Sequence, residues 1–144
     1  MPNLTPGDAQ DLLTALQAGY EARDPEQILS LFHDDAEMRV DPFAEPLNGS
    51  LEIRRHWNSV SAEQAHVEFD PERIWVSGAA VLASWHGAYT RRATGERVRT
   101  RGFLALELDD DRRIVRYRGW PLERVVGMDG SFRPQTTEGA TDGR

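Results

Sequence analysis

The fold is decided at Leu31–Gly49, LFHDDAEMRVDPFAEPLNG, where alternating side chains run into a proline-rich turn. Residues 36–41 alternate as a short strand, and the prolines and glycine of 42–49 predict a turn. Asp41 therefore stands where the strand ends. The sequence allows two interpretations. The Asp41 carboxylate looks into a closed pocket and serves as a general base, or it caps the backbone after Pro42 in an Asx-type turn.

The residues before this stretch carry a helical period. Thr5 and Asp8 have the spacing of a capping box. An apolar stripe follows at Leu12, Leu16 and Tyr20, which are four residues apart. The pattern predicts a first helix with Tyr20 on its core face.

Two more helix starts flank the predicted strand. Asp24 followed by Pro25 is the cap and first turn of a short second helix. Ser50 is a candidate cap for a third helix. The apolar face of the third helix is formed by Ile53, Trp57 and Val60.

The period changes to alternation after the third helix. The four predicted strands are at about 65–76, 79–92, 96–108 and 112–123. Helices followed by an antiparallel meander define an α+β fold in which three N-terminal helices cover one face of a curved sheet.

The composition bounds the possible functions. The 144 residues carry a formal net charge of −7, contain no cysteine and include no apolar run of membrane-spanning length. Acidic charge opposes docking on a phosphate backbone, and the lack of cysteine excludes disulfides, thiolate catalysis and cysteine-based zinc sites. We expect a cytoplasmic protein that binds neither nucleic acid nor membrane. We also expect no metal site, because too few candidate ligands converge.

The length fits one domain. We expect that domain to occupy residues 1–127. Residues 128–144 are rich in Gly, Thr, Asp and Pro with little to bury, so they predict a disordered tail.

The stretch Ala22–Trp57, ARDPEQILSLFHDDAEMRVDPFAEPLNGSLEIRRHW, resembles the nuclear transport factor 2-like superfamily, in its SnoaL-like and ketosteroid isomerase-like branches. The resemblance covers about residues 8–123. It implies a cone-shaped α+β roll of the cystatin-like type, with a pocket between the helices and the sheet. The superfamily contains enzymes and binding modules alike, so the fold alone does not give the function.

The resemblance also assigns individual residues. Asp41 matches the aspartate that acts as catalytic base in ketosteroid isomerases. The oxyanion-hole tyrosine of those enzymes falls on Leu16, and their protonated aspartate falls on Leu104. Without those two donors the enolate loses its electrostatic support, so we do not expect steroid isomerisation.

The hairpin between the second and third strands of the meander decides which side chains face the pocket. Reading Arg92–Glu96 as a type I turn with a bulge at Gly95 pairs Arg92 with Glu96. Ser84 then lies opposite Leu104, and His86 lies opposite Gly102. Both Ser84 and His86 would face inward. A two-residue turn at Thr94-Gly95 would instead turn Trp85 inward.

The first register gives a pocket with three polar side chains, from Asp41, Ser84 and His86. Its predicted ligand-binding wall is formed by Leu16, Tyr20, Trp57, Leu104, Leu106, Val115 and Tyr117. An apolar cavity with a few converging polar groups is typical of a small-molecule site. The alternative is that these side chains have a structural role only. His86 would then be a buried core histidine, and Tyr20 and Trp57 would be ordinary core residues.

Two functions fit this pocket. The first, implied by the SnoaL-like resemblance, is cofactor-free proton transfer on a small apolar carbonyl compound, of the isomerase, cyclase or dehydratase type. Asp41 would be the general base and His86 its acid partner. The second is a non-catalytic module that binds a small ligand or dimerises.

A homodimer is expected through the outer face of the sheet. The same register directs Trp85, Tyr89 and Phe103 outward, and the last strand adds Ile114 and Trp120. Aromatic side chains of this number form a patch larger than monomers usually expose. The alternative is that a C-terminal segment of the same chain covers the patch.

Overall fold

The computed structural model describes residues 3–132. Three helices precede the meander, as predicted. The elements are α1 (Pro6–Ala22), α2 (Pro25–Leu29), β1 (Phe32–Arg39), β2 (Leu47–Asn48), α3 (Gly49–Glu63), β3 (Gln64–Ser77), β4 (Ala80–Arg91), β5 (Glu96–Leu108) and β6 (Ile114–Met128). The predicted α+β class is confirmed. Within these residues, no helix combines the length and the apolar character needed to cross a membrane.

The first two helices begin as their sequences predict. The Thr5 hydroxyl accepts from the Asp8 amide at 3.1 Å, and the Asp8 carboxylate accepts from the Thr5 amide at 2.9 Å. Asp24 caps α2 by accepting from the Gln27 amide at 3.2 Å. These caps satisfy amides that a helix end leaves unpaired.

The predicted cap of α3 at Ser50 is wrong. The helix begins at Gly49, and its N-cap is Asn48, which makes no side-chain hydrogen bond. The Glu52 carboxylate instead accepts from the Asn48 amide at 2.8 Å. The Glu52 side chain, one turn into the helix, thereby satisfies the amide at the helix start.

The strands form one six-stranded sheet in the order β2-β1-β6-β5-β4-β3. All neighbours are antiparallel except β1 and β6, which run parallel. The strand β1 starts at Phe32, four residues before the predicted strand at 36–41. The reason is that Phe32 already pairs with Ile114 of β6, ahead of a shift in register before Glu37.

The helices cover the concave face of the sheet. The core is continuous from the helices to the strands. Its fully buried members include Leu13, Leu16, Ile28, Met38, Ile53, Val81, Leu104, Leu106 and Ile114.

The hairpin between β4 and β5 corrects the predicted register. Trp85 lies opposite Gly102, and His86 lies opposite Arg101 rather than Gly102. A shift of one residue exchanges the two faces of a strand, so Trp85 points to the concave face and His86 to the outer face. Leu104 keeps its predicted inward direction and is 2% exposed. Within this hairpin, the error therefore concerns β4 and not β5.

The loop of this hairpin accounts for the shift. It spans residues 92–95, because the amides of Thr94 and Gly95 both donate to the Arg91 carbonyl, at 3.3 and 2.7 Å. Gly95 has a φ of 79°, which favours glycine. Four loop residues instead of three move β4 by one position. The alternative prediction, a two-residue turn at Thr94-Gly95, puts Trp85 on the correct face, but its loop is two residues shorter than the observed loop 92–95.

The last strand passes the domain boundary predicted at residue 127. Asp129, directly after β6, donates its amide to the Gly95 carbonyl at 2.8 Å. The Asp129 carboxylate accepts from the buried Thr90 hydroxyl and lies 2.8 Å from Nδ1 of His66. These contacts dock the segment against the hairpin and the start of β3.

The contacts of this segment continue to Phe132, whose ring meets His66 edge-on at 5.9 Å. Residues 128–132 of the predicted tail therefore contact the domain in the structure. Residues 133–144 of the predicted tail lie outside the described residues, and the prediction for them stays a prediction.

We expect Asp129→Asn to lower the melting temperature at neutral pH by about 3–6 °C. Hydrogen bonds from Ser131, Thr90 and His66 hold the pKa of Asp129 well below its ordinary value. A depressed carboxyl pKa contributes stability above the unfolded-state pKa of about 3.9, and that contribution is lost as pH falls further.

The measurement is thermal unfolding of both proteins from pH 7 down to pH 3. The difference in melting temperature should shrink below about pH 4, where the wild-type carboxyl begins to lose its advantage. The control is Asp34→Asn, at an exposed position of β1. Equal melting temperatures for wild type and Asp129→Asn at pH 7 would contradict the docked segment.

Candidate functional site

A cavity of about 200 Å³ lies between the concave face of the sheet and the helices α1 and α3. One of its walls is a chain of four aromatic rings. Tyr20 lies 5.1 Å from Trp57 and 4.8 Å from Phe69, and Phe69 lies 5.2 Å from Trp85, all between ring centroids. Such contacts stabilise the wall beyond simple burial of area. The cavity is therefore mostly apolar and rigidly built on helices and strands.

Two tyrosines meet in the cavity. The hydroxyl oxygens of Tyr20 and Tyr117 are 3.1 Å apart. Burial raises the pKa of Tyr117 to about 12 and raises the pKa of Tyr20 well above its ordinary value. Both phenols are therefore neutral at pH 7. Only one O–H can lie in the bond between them, so the other is left to donate to a ligand.

Two indole N–H groups of the cavity wall have no hydrogen-bond partner among the described residues. They are Nε1 of Trp57 and Nε1 of Trp85, and both atoms are buried. Trp57 as a whole is 7% exposed. A buried donor is ordinarily paired, so these two are exceptions that call for an explanation.

Gly102 makes the space that the Trp85 ring occupies. A Cβ atom at Gly102 would lie 2.7 Å from Cζ2 of Trp85 and 2.8 Å from the Trp120 carbonyl oxygen. Backbone cannot move away as a flexible side chain can, so only glycine fits opposite Trp85. The position of Trp85 in the cavity wall thus depends on Gly102.

His56 is the one histidine of the cavity wall among the described residues. It lies on α3 beside Trp57, with the two rings 4.9 Å apart. Burial lowers the pKa of His56 below its ordinary value, and Glu63 opposes this effect weakly. The imidazole is therefore neutral at pH 7 and available as a proton acceptor.

Arg23 lines the cavity, but its guanidinium binds backbone carbonyls and has a structural role. Its Nη1 donates to the carbonyls of Ser61 and Gln64, at 2.7 and 2.8 Å. These carbonyls belong to the C-terminal end of α3, where a cation is favourable. Arg23 thereby ties the end of α1 to the end of α3.

The carboxylates at the cavity wall already have partners. Glu68 pairs with Arg97 at 2.7 Å. Glu123 accepts from the Tyr89 hydroxyl at 2.9 Å and lies 3.7 Å from the Arg91 guanidinium. The unengaged polar groups described above are mainly donors.

The structure brings three of the predicted wall residues to the cavity, Tyr20, Trp57 and Tyr117. Leu16 and Leu104 are fully buried core residues outside the cavity lining. Their burial agrees with the predicted inward direction. We therefore propose a role in ligand binding only for Tyr20, Trp57 and Tyr117.

Asp41 does not line the cavity, whose wall ends at its neighbour Val40. The Oδ1 atom of Asp41 accepts from the Phe43 amide at 2.8 Å, and the Asp41 carbonyl accepts from the Ala44 amide at 3.2 Å. This geometry is the Asx-type turn, the second of the two interpretations drawn from the sequence.

Ser84 and His86 lie on the outer face of the sheet. His86 places Nδ1 2.9 Å from Glu72 and Nε2 3.6 Å from Asp70, and its side chain is 44% exposed. Ser84 pairs with Phe103 and Arg73 across the outer face. The predicted meeting of these two residues with Asp41 in one pocket does not occur, because the register of β4 differs by one residue.

Sequence reasoning missed His56, and it placed Trp85 inward only in the alternative register. His56 had a detectable signal, since it lies three residues after Ile53 and four before Val60 on the apolar stripe of α3. Trp85 had a weaker signal in Gly102, a glycine inside a strand that marks the close approach of another group. Within residues 3–132, no group of three potential metal ligands converges.

The family now follows from the sequence comparison. The structure has a curved six-stranded sheet, three N-terminal helices and a mostly apolar cavity between them. The profile of the SnoaL-like domain matches residues 13–117, and the chain belongs to this family. The predicted resemblance to the nuclear transport factor 2-like superfamily is thereby confirmed. No curated protein matches the chain in sequence.

Solved structures share the fold at low sequence identity. The epoxide hydrolase/cyclase-like enzyme SalBIII, which takes part in pyran ring formation in the polyether salinomycin, is 15% identical with a TM-score of 0.74 over 85% of this chain and 96% of that one. RV0760c from Mycobacterium tuberculosis is 14% identical with a TM-score of 0.72, over 85% and 100%.

A third structure is a protein with a ketosteroid isomerase-like fold from Catenulispora acidiphila, solved with trimethylamine. It is 14% identical with a TM-score of 0.70, over 81% of this chain and 86% of that one. These likenesses establish the fold, and the function has to be argued from the cavity.

Proposed function

We propose that this SnoaL-like protein binds a compact, mostly apolar ring compound in the cavity between the sheet and the helices. The observation that carries the proposal is the aromatic wall from Trp57 through Tyr20 and Phe69 to Trp85, which lines an unfilled, partly open cavity. Protein interiors are otherwise closely packed, so a cavity of this size is a feature to be explained by a ligand.

The cavity volume sets the size of the ligand. An apolar cavity of about 150 Å³ in another protein holds benzene. The cavity here, at about 200 Å³, is roughly a third larger and suits a compound of one or two rings. The four-ring frame of a steroid is larger than this volume.

We expect naphthalene to bind in this cavity and Val60→Trp to weaken its binding at least tenfold, since the larger side chain fills the space that Val60 lines. The matched control is Val126→Trp, on an exposed part of β6. Titration followed by nuclear magnetic resonance gives the affinities. Equal affinities for wild type and Val60→Trp would contradict ligand binding at this cavity.

Cofactor-free proton transfer on a carbonyl compound is the second candidate function. His56 supports it, because a neutral imidazole in the cavity wall can accept a proton from carbon while the spare phenolic O–H of the Tyr20–Tyr117 pair donates to the carbonyl oxygen. The chemistry is that predicted from the sequence, with His56 in place of Asp41 and His86. A positioned base contributes about 10²–10⁴-fold to such a step.

We expect the chain to accelerate exchange of the α-protons of 2-indanone in deuterated water, and His56→Gln to abolish the acceleration. The active form is the neutral imidazole, whose pKa is lowered by burial. The rate should therefore rise with pH through a midpoint below 6.5 and then stay constant.

Asp41→Asn separates the two candidate bases in the same experiment. Loss of exchange in Asp41→Asn alone would return the role of base to Asp41. No acceleration by the wild-type protein would leave ligand binding as its function.

We further propose that two copies of the chain pair through the outer face of the sheet. Trp75, Phe103, Trp120 and Leu122 are exposed there by 41, 37, 43 and 74%. The rings of Trp75 and Phe103 lie 5.6 Å apart. The patch differs from the predicted one, because Trp85, Tyr89 and Ile114 face the core or the cavity.

Charges on the outer face suit a second copy. Arg116 lies 3.4 Å from Glu107 and 3.5 Å from Glu37, so positive and negative groups interleave beside the aromatic patch. A two-fold axis lets such a patch meet itself with opposite charges facing each other. A cytoplasmic location and the absence of nucleic-acid partners stay predictions from composition.

We expect sedimentation equilibrium at micromolar concentration to give about twice the chain mass of 16.3 kDa. Trp120→Glu should reduce it to the mass of one chain without unfolding, since it inserts a charge in the apolar patch. The control Leu51→Glu changes an exposed leucine on α3. A wild-type mass of one chain at every concentration would rule out the dimer.

A further inference from the structure

The strand β3 is irregular where it borders the cavity. Its register against β4 shifts between Ala65 and Glu68, so His66 and Val67 both lie opposite the single residue Tyr89. Two residues opposite one partner residue form a β-bulge. Bulges are frequent beside binding and active sites, where they change the direction of a side chain.

This bulge decides which side chains of β3 reach the cavity. Gln64 and Val67 both line it. Residues three apart in a regular strand point to opposite faces, because successive side chains alternate. The extra residue of the bulge, His66, allows both side chains to face the cavity. In a regular strand that kept Val67 in the cavity wall, Gln64 would point to the outer face.

The backbone of His66 is strained. Its φ is 49°, in the left-handed region. A residue other than glycine is disfavoured there by roughly five- to thirtyfold. Such a conformation persists only where the surrounding structure holds it, and such residues cluster at functional sites. The cavity wall formed by β3 therefore depends on contacts that hold His66.

Three side chains make these contacts, and we call Asp129, Arg97 and Thr90 the clasp. The Asp129 carboxylate lies 2.8 Å from Nδ1 of His66 and accepts from the Thr90 hydroxyl. The Arg97 guanidinium donates to the His66 carbonyl at 2.7 Å and to the Thr90 hydroxyl oxygen at 3.1 Å. The side chains of Asp129 and Arg97 are only 12 and 20% exposed. The clasp thus holds both the imidazole and the carbonyl of the strained residue.

On the basis of the proposed function, we infer that Asp129 and Arg97 are positioning residues of the cavity. Neither side chain lines the cavity. They hold the left-handed backbone of His66, and this backbone forms the bulge that directs Gln64 and Val67 to the cavity. The segment after β6 therefore contributes to ligand binding from outside the cavity.

The experiment measures naphthalene binding by nuclear magnetic resonance at a temperature where every variant is folded. We expect Asp129→Ala to weaken binding by about three- to tenfold, because His66 then relaxes out of the left-handed conformation. Glycine adopts this conformation without strain. His66→Gly, added to Asp129→Ala, should therefore restore the affinity to within about twofold of wild type. If Asp129 only docked the segment, glycine would restore nothing, because it replaces none of the lost contacts.

The control for this rescue is Arg112→Gly in the Asp129→Ala background. Arg112 also has a left-handed backbone, with a φ of 61°, but it lies between β5 and β6 and does not line the cavity. Relief of strain at Arg112 should leave naphthalene binding weak. Backbone chemical shifts of residues 64–68 report the bulge without a ligand. They should change in Asp129→Ala and return when His66→Gly is added.

Each failure has its own signature. Wild-type affinity in Asp129→Ala, or weak binding that His66→Gly does not restore, would overturn this inference and leave the cavity proposal standing. Absence of naphthalene binding by the wild-type protein would overturn the proposed function together with this inference.

Discussion

The packing of Trp85 on Gly102 is the constraint on which the site depends. Opposite Gly102 the tryptophan ring has room on the concave face, and any Cβ at that position would collide with the ring and with backbone. The four-residue loop at 92–95 delivers Trp85 to that place. With β4 shifted by one residue, His86 would face the cavity and the aromatic wall would lose its last ring.

This register also decides the polarity of the cavity. It places the Trp85 indole, whose N–H has no partner among the described residues, in the cavity wall, and it turns His86 to the outer face beside Glu72 and Asp70. Each unpaired buried donor costs about 1–3 kcal/mol in the absence of a ligand. A wall of this kind is less stable than a fully apolar core would be. Binding sites commonly lower the stability of the protein that carries them.

Features that depend on neighbouring residues could be predicted from the sequence. The caps at Thr5 and Asp24 form as expected, because the groups that bond are only three residues apart. The helix order and the four long strands follow from the change of hydrophobic period. Tyr20, Trp57 and Tyr117 reach the cavity because their strand or helix faces depend on that period alone.

Features that depend on one residue of loop length could not be predicted in this way. The loop 92–95 differs from the expected one by a single residue, and this difference moves Ser84 and His86 out of the site. The docking of Asp129 was missed for a related reason. Composition averages over the tail, whereas one carboxylate that accepts from Thr90 and Ser131 is enough to hold the segment.

Asp41 illustrates how the same fold can use a different part of its cavity. In the sequence resemblance, Asp41 matches the catalytic aspartate of ketosteroid isomerases, yet its carboxylate accepts from the Phe43 amide at 2.8 Å. Turning Asp41 inward would break a hydrogen bond worth about 0.5–1.5 kcal/mol and would take a charge out of water, which costs more unless a donor meets it. The physical balance therefore favours the Asx-type turn over an inward position of the Asp41 carboxylate.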